Sequence, residues 1–170
     1  MAATGSTTPI TRKVGSMTLT LKSDVEIELS RTFDAPRRLV FEAHSKAAHV
    51  RQWWGNKDTT MSVCEMDFRP GGAWRYVLRK PNGKEYGFRG TFVEIVKPEW
   101  FSWMFGVDGM PGEGLEVYRF TEHDGKTTLT TTSHFPSVEV RDAVIASGME
   151  TGAAELFDRL EEYLRTMGLS

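Results

Sequence analysis

Cysteine is almost absent. Cys64 stands alone in 170 residues, which excludes an intrachain disulfide and fits a reducing, cytoplasmic setting. The four histidines, at 44, 49, 123 and 134, include no i,i+4 pair, and there is no Cys-x-x-Cys. Neither a metal nor another cofactor is expected. No apolar run approaches the roughly 18 residues of a membrane-spanning helix, so no membrane is expected as a partner. Residues Met1 to Gly15 are rich in Thr, Ser and Gly and lack the apolar centre of a secretory signal; residues 1–16 are expected to form a disordered tail. Basic residues are in no excess, 21 Lys and Arg against 23 Asp and Glu, which gives nucleic acid nothing to hold. Catalytic signatures are missing too. There is no Gly-x-Ser-x-Gly elbow. The glycine-rich stretch Gly106 to Gly114 lacks the Lys-Ser/Thr of a phosphate loop and reads as a mobile loop. Cys64, within an alternating stretch, reads as a small buried hydrophobe.

What the chain does have is aromatic weight: five Trp and ten Phe, most of them between Phe33 and Phe120. Val25 to Phe33 alternates apolar and polar residues, the period of a half-buried strand, and Met17 to Leu21 allows an extra edge strand before it. Asp34-Ala-Pro36 reads as a helix start with a capping carboxylate, the helix running to about His44. Ser45 would cap a second short helix, Lys46 to Trp54, ended by Gly55. Strands then follow at Met61–Phe68, Ala73–Leu78, Glu85–Val96, Trp100–Phe105, Leu115–Thr121 and Thr127–Ser133. They are separated by turn signals at Pro70-Gly71-Gly72, Pro81-Asn82-Gly83, Lys97-Pro98-Glu99 and His123-Asp124-Gly125.

The C-terminal stretch changes period. Met149, Ala153, Leu156, Leu160, Tyr163/Leu164 and Met167 lay one apolar stripe along a helix beginning near Ser137. Glu155 to Arg159 and Glu161 to Arg165 are acid-before-base pairs on the other face. Gly148 and Gly152 each weaken a helix interior by about 1 kcal/mol relative to Ala. They mark either close packing or a break near Gly148, or else space left between helix and sheet.

These elements make one α+β domain over residues 17–170: a curved antiparallel β-sheet gripping a long C-terminal helix, with two short helices after the first strand. Alternation and the helical stripe nominate a ligand-binding set: Trp54, Trp74, Tyr76, Phe88, Phe101, Trp103, Phe105, Glu116, Tyr118, Phe120, Thr131, Met149, Gly152, Ala153 and Leu156. Ser133 would share the interior, and Arg69 and His44 are further polar candidates. One of Trp53 and Trp54 is expected under the sheet and the other at the entrance. Glu116 is the ambiguous member. Facing inward beside aromatics it would have a raised pKa and serve as acid or base; at a frayed strand end, or after a bulge, it would reach water.

The run Arg31-Thr-Phe-Asp-Ala-Pro-Arg-Arg-Leu-Val-Phe-Glu-Ala43 resembles the opening of the helix-grip superfamily of START-related and Bet v 1-like proteins. Arg51-Gln-Trp-Trp-Gly55, Cys64-Glu-Met-Asp-Phe-Arg-Pro-Gly-Gly-Ala-Trp-Arg75, Phe135-Pro-Ser137 and Gly148…Gly152…Leu156-Phe-Asp-Arg-Leu160 narrow the resemblance to the branch named after the activator of the Hsp90 ATPase. It covers about Asp24 to Leu164 and implies a deep cavity between sheet and C-terminal helix. The expected function is binding of a small, largely apolar molecule there, aromatic, polyketide-like or lipid-like. Two alternatives stand beside it: cyclase- or hydrolase-like acid–base chemistry in the same cavity, and an Hsp90-type co-regulator. A homodimer stays open. At His44-Ser-Lys-Ala-Ala-His49 the chain departs from relatives, which more often carry an aromatic followed by Thr-Asp-Pro-Glu. A cavity holding one isolated, desolvated carboxylate would favour chemistry, and a filled core the interaction domain.

Overall fold

The computed structural model describes residues 10–168. Within them the order is β1 (Ile10–Val14), β2 (Met17–Ser23), β3 (Glu26–Phe33), α1 (Arg37–Ser45), α2 (Ala47–Trp53), β4 (Thr60–Met66), β5 (Ala73–Arg79), β6 (Glu85–Val96), β7 (Trp100–Val107), β8 (Gly114–His123), β9 (Lys126–His134), α3 (Val138–Ala146) and α4 (Met149–Met167). All strands join one curved antiparallel sheet in the order β1-β2-β3-β9-β8-β7-β6-β5-β4. β3 and β4 follow each other in the chain but lie far apart in the sheet, so α1 and α2 must cross its inner face to connect them.

The expected α+β architecture is present. The tail expectation is corrected in part: Ile10–Val14 pairs with β2 residue for residue from Ile10↔Leu21 to Val14↔Met17. Alternation is weak there because four of these five side chains are exposed, leaving backbone pairing as the organising force. Residues 1–9 lie outside the described residues. The two short helices consequently follow the third strand rather than the first.

Helix starts also differ from the local reading. Pro36, not Asp34, is the N-cap of α1 and makes no side-chain cap. The carboxylate of Glu122, from β8, accepts the Arg37 backbone N–H at 2.6 Å instead. Lys46 rather than Ser45 precedes α2, and the Ser45 hydroxyl donates back to the Glu42 carbonyl at 3.0 Å. Ser137 does behave as expected, accepting from the Val140 N–H at 3.2 Å.

The C-terminal helix is two helices. Gly148 takes φ 83°, a left-handed conformation that costs glycine little, and the chain turns there between α3 and α4. α4 buries Phe157, Leu160 and Leu164 on one stripe, each worth about 1.5–3 kcal/mol of apolar burial. Its polar residues hold it across the sheet. Asp158 accepts from Arg31 at 2.6 Å and Glu150 from Arg12 at 2.7 and 2.9 Å. Glu155 accepts the Lys57 backbone N–H, and Arg159 donates to the Asn56 carbonyl at 2.8 Å. Glu155 and Arg159 are thus spent on the loop after α2, not on each other.

Gly152 leaves space, but away from the sheet: an added Cβ would meet only Asn56 Nδ2, at 3.6 Å. Gly152→Ala is therefore expected to stabilise the protein by about 0.5–1 kcal/mol, the ordinary helix-interior gain. A urea midpoint that falls would show that the glycine answers to packing after all.

Candidate functional site

Strand pairing sets inner-face side chains in rows. Trp103 of β7 lies opposite Glu116 of β8, which lies opposite Ser133 of β9. Two residues along, Phe101, Tyr118 and Thr131 form the next row, continued by Leu29 of β3. Directly opposed side chains touch. In the first row Trp103 Nε1 donates to one Glu116 carboxyl oxygen and Ser133 Oγ to the other, both at 2.8 Å. In the second, Phe101 stacks on Tyr118 with ring centroids 4.8 Å apart.

Above these rows is a cavity of about 140 Å³. Met149, Ala153, Leu156 and Phe157 of α4 form one wall, and His44, Val50, Trp53 and Trp54 of α1, α2 and the residue after it another. Tyr76 of β5 and Phe105 of β7 complete it. Of the residues nominated from sequence, Trp54, Tyr76, Phe101, Trp103, Phe105, Glu116, Tyr118, Thr131, Met149, Ala153 and Leu156 line this space, and so does Ser133.

Four nominated residues do not line it. Trp74 faces inward but lies behind Trp103, stacked at 4.1 Å, with its Nε1 donating to the Met104 carbonyl at 3.1 Å. Phe88 is wedged between Trp54 and Phe105, with centroids 5.0 and 5.7 Å away. Phe120 packs under α1 against Phe41 and His44, each at 5.2 Å. Gly152 faces Asn56. Nor does Arg69 belong to the site: it is exposed and paired with Asp67 at 2.7 Å. No residue of the Gly106–Gly114 loop reaches the lining either. Both neighbouring tryptophans line the cavity wall, Trp53 buried with its Nε1 on the Ala43 carbonyl at 3.0 Å and Trp54 half-buried.

Leu29, Val50 and Phe157 are lining residues that the sequence reading missed. Two had a signal. Leu29 shares the alternation of Ile27 and Phe33, and Phe157 sits four residues beyond Ala153 on the helical stripe. Val50 had none, because a seven-residue helix is too short for its period to be read.

The electrostatics are set by burial. Glu116 is pushed above the usual carboxyl range because desolvation outweighs the hydrogen bonds from Trp103, Ser133 and Tyr118. Burial lowers His44 from 6.5 to about 4, against the opposing pull of its Val40 contact. The imidazole is therefore neutral at pH 7. Tyr76 and Tyr118 are both pushed up, chiefly by burial, and stay protonated. The site thus offers a carboxyl of raised proton affinity and a neutral imidazole inside an aromatic wall. Among the described residues no group of three His, Cys, Asp or Glu is placed to hold a metal ion. No helix there is long and apolar enough to cross a membrane.

A family model described as activator of Hsp90 ATPase homolog 1-like protein matches residues 34–165. Among solved structures, a crystal structure from Rhodobacter sphaeroides is 25% identical with a TM-score of 0.85, covering 89% of this chain and 99% of its own. A solution structure from Staphylococcus epidermidis is 28% identical with a TM-score of 0.73, covering 86% and 93%. A crystal structure from Nitrosomonas europaea, 21% identical with a TM-score of 0.79 over 87% and 99%, shares the fold. No curated protein matches the sequence.

Proposed function

The chain belongs to the family of activator of Hsp90 ATPase homolog 1-like proteins, and on that premise we propose that it binds a small, largely apolar molecule between the sheet and α4. The observation that carries this reading is the cavity of about 140 Å³ left among Trp103, Phe101, Tyr118 and the start of α4. An apolar cavity of about 150 Å³ holds benzene, so the ligand, or the part of it seated here, has the bulk of one ring. Aromatic walls supply broad contact, and the few polar groups in the wall supply orientation.

Trp103 lines the space and reports on it. Toluene, indole and short acyl compounds titrated against the protein are expected to change the tryptophan fluorescence saturably, and Trp103→Phe to reduce that response, the remainder coming from Trp53 and Trp54 in the same wall. Ala153→Leu adds three heavy atoms from the α4 wall and should weaken binding by at least about tenfold while the fold survives, because volume fills the space a ligand needs. If no compound perturbs the wild type, the reading fails.

Glu116 favours a second reading, acid–base chemistry in the same cavity. Its carboxyl has a raised proton affinity and shares the wall with a neutral His44. Turnover of an ester such as 4-nitrophenyl acetate that is lost in Glu116→Gln, with toluene still bound, would support it. Turnover equal in the two proteins would remove it.

A further inference from the structure

We propose that the cavity selects a ligand carrying a hydrogen-bond donor, of which a hydroxyl is the smallest, and that Nε2 of His44 is the atom that receives it. This rests on the cavity reading above and names the chemistry of its occupant. Nδ1 of His44 lies 2.8 Å from the Val40 carbonyl. A carbonyl only accepts, so Nδ1 carries the proton and Nε2 is left with a lone pair. That nitrogen is buried and has no partner among the described residues. The residue is 6% exposed, so the lone pair has been removed from water without replacement, and buried polar groups are satisfied in the great majority of cases.

The direction follows from the same contact. Nδ1 is turned back onto the preceding turn of α1, which leaves Nε2 on the side of the ring away from that turn, and the ring lines the cavity. Edge contacts with Trp53 at 4.8 Å, Phe120 at 5.2 Å and Tyr118 at 5.8 Å hold its plane. Glu116, the other strongly polar group in the wall, already receives Trp103 and Ser133. A donor entering with an apolar ligand therefore gains an acceptor that no other described group uses, reached by a small shift of the ring that uncovers Nε2, and discrimination against the analogue lacking that donor follows.

Phenol and toluene, near-equal in shape, are the probes, read by calorimetry and Trp103 fluorescence on wild type and His44→Phe. The ratio of toluene to phenol dissociation constants is expected to fall by roughly tenfold in His44→Phe, the scale of one hydrogen bond, the ratio cancelling any change the new ring makes to the affinity of both probes. In the wild type, the ¹⁵N resonance of His44 Nε2 should move on adding phenol and stay on adding toluene, which keeps the test intact if the variant fails to fold. Toluene and phenol binding with an unchanged ratio, or a resonance indifferent to phenol, overturns the donor inference and leaves the cavity reading standing. Failure of both probes to bind overturns both.

Discussion

Gly90→Ala is expected to cost about 3 kcal/mol or more, the upper range of overpacking, although the change adds a single carbon. A Cβ at this position would lie 1.7 Å from the Met104 carbonyl oxygen and 2.6 Å from Trp74 Nε1. Both are fixed. The carbonyl is backbone, and the indole nitrogen is donating to that same oxygen at 3.1 Å. Gly90 is paired with Trp74 across β5 and β6, so the missing side chain is the gap through which the indole reaches the backbone of β7. Filling it must push strands apart or expel Trp74. Expulsion also strips Trp103 of its stacking partner at 4.1 Å and so disturbs the back of the cavity wall. Urea unfolding followed by far-UV circular dichroism reads the cost. A loss below about 1 kcal/mol would mean that β6 and β7 yield at this point, and the close approach would then explain nothing. Trp74→Phe offers the complementary variant, since it removes the donor and keeps a ring.

The distinction between Trp74 and Trp103 shows how far the sequence could be read. Alternation assigns a side chain to a face of a strand, and it correctly sends Trp74, Tyr76, Phe101 and Trp103 inward, whereas for Glu116 an inward and a solvent-facing place stood side by side. It carries no information about depth. Trp74 is inward and yet behind another ring, because β5 and β7 are brought together through β6 and only the assembled sheet decides which indole is in front. Helix starts failed for a related reason. The N–H of Arg37 takes a carboxylate from Glu122, some 85 residues away in the chain, and no local motif records such a partner. Glycines were partly legible. Gly148 breaks the C-terminal helix as its residue type allows, whereas Gly152, four residues on, looks equivalent in sequence but faces Asn56. His44 was visible as a departure from an otherwise familiar pattern. Its orphaned nitrogen was not, since that depends on a contact to Val40 and on the burial of its other side.

Between pH 7 and pH 4 the protein is expected to lose on the order of 3 kcal/mol of stability through His44 alone. The folded imidazole holds its proton only below about 4, whereas in the unfolded chain it does so below 6.5. Above 6.5 neither state is protonated and the contribution is complete. As the pH falls through the window, the unfolded chain binds a proton that the folded state refuses, and unfolding is favoured until the folded pKa is reached. The cause is the burial of a cation among Trp53, Phe101 and Phe120 with no acidic partner on α1 beside it. The ionisable groups sharing its cavity are Glu116 and Tyr118 from β8 and Tyr76 from β5; α4 presents only apolar residues. Glu116 runs the other way. Its folded pKa is raised, so its contribution is present below the unfolded carboxyl value and is lost as pH rises through the folded one. Glu116→Gln should accordingly stabilise the protein at neutral pH. The geometry permits it: Trp103 still donates to the amide oxygen, and the Ser133 hydroxyl can rotate to accept from the amide nitrogen. The two effects separate by difference. Wild type minus His44→Phe should fall steadily from pH 6.5 to 4, and wild type minus Glu116→Gln should rise as the pH falls towards the unfolded carboxyl value of 4.5 and level off below it. A direct titration of the His44 ring by NMR decides the cause: protonation near 6.5 in the folded protein would show that the imidazole is hydrated, and with that both the acid instability and the unpartnered acceptor of the cavity would go.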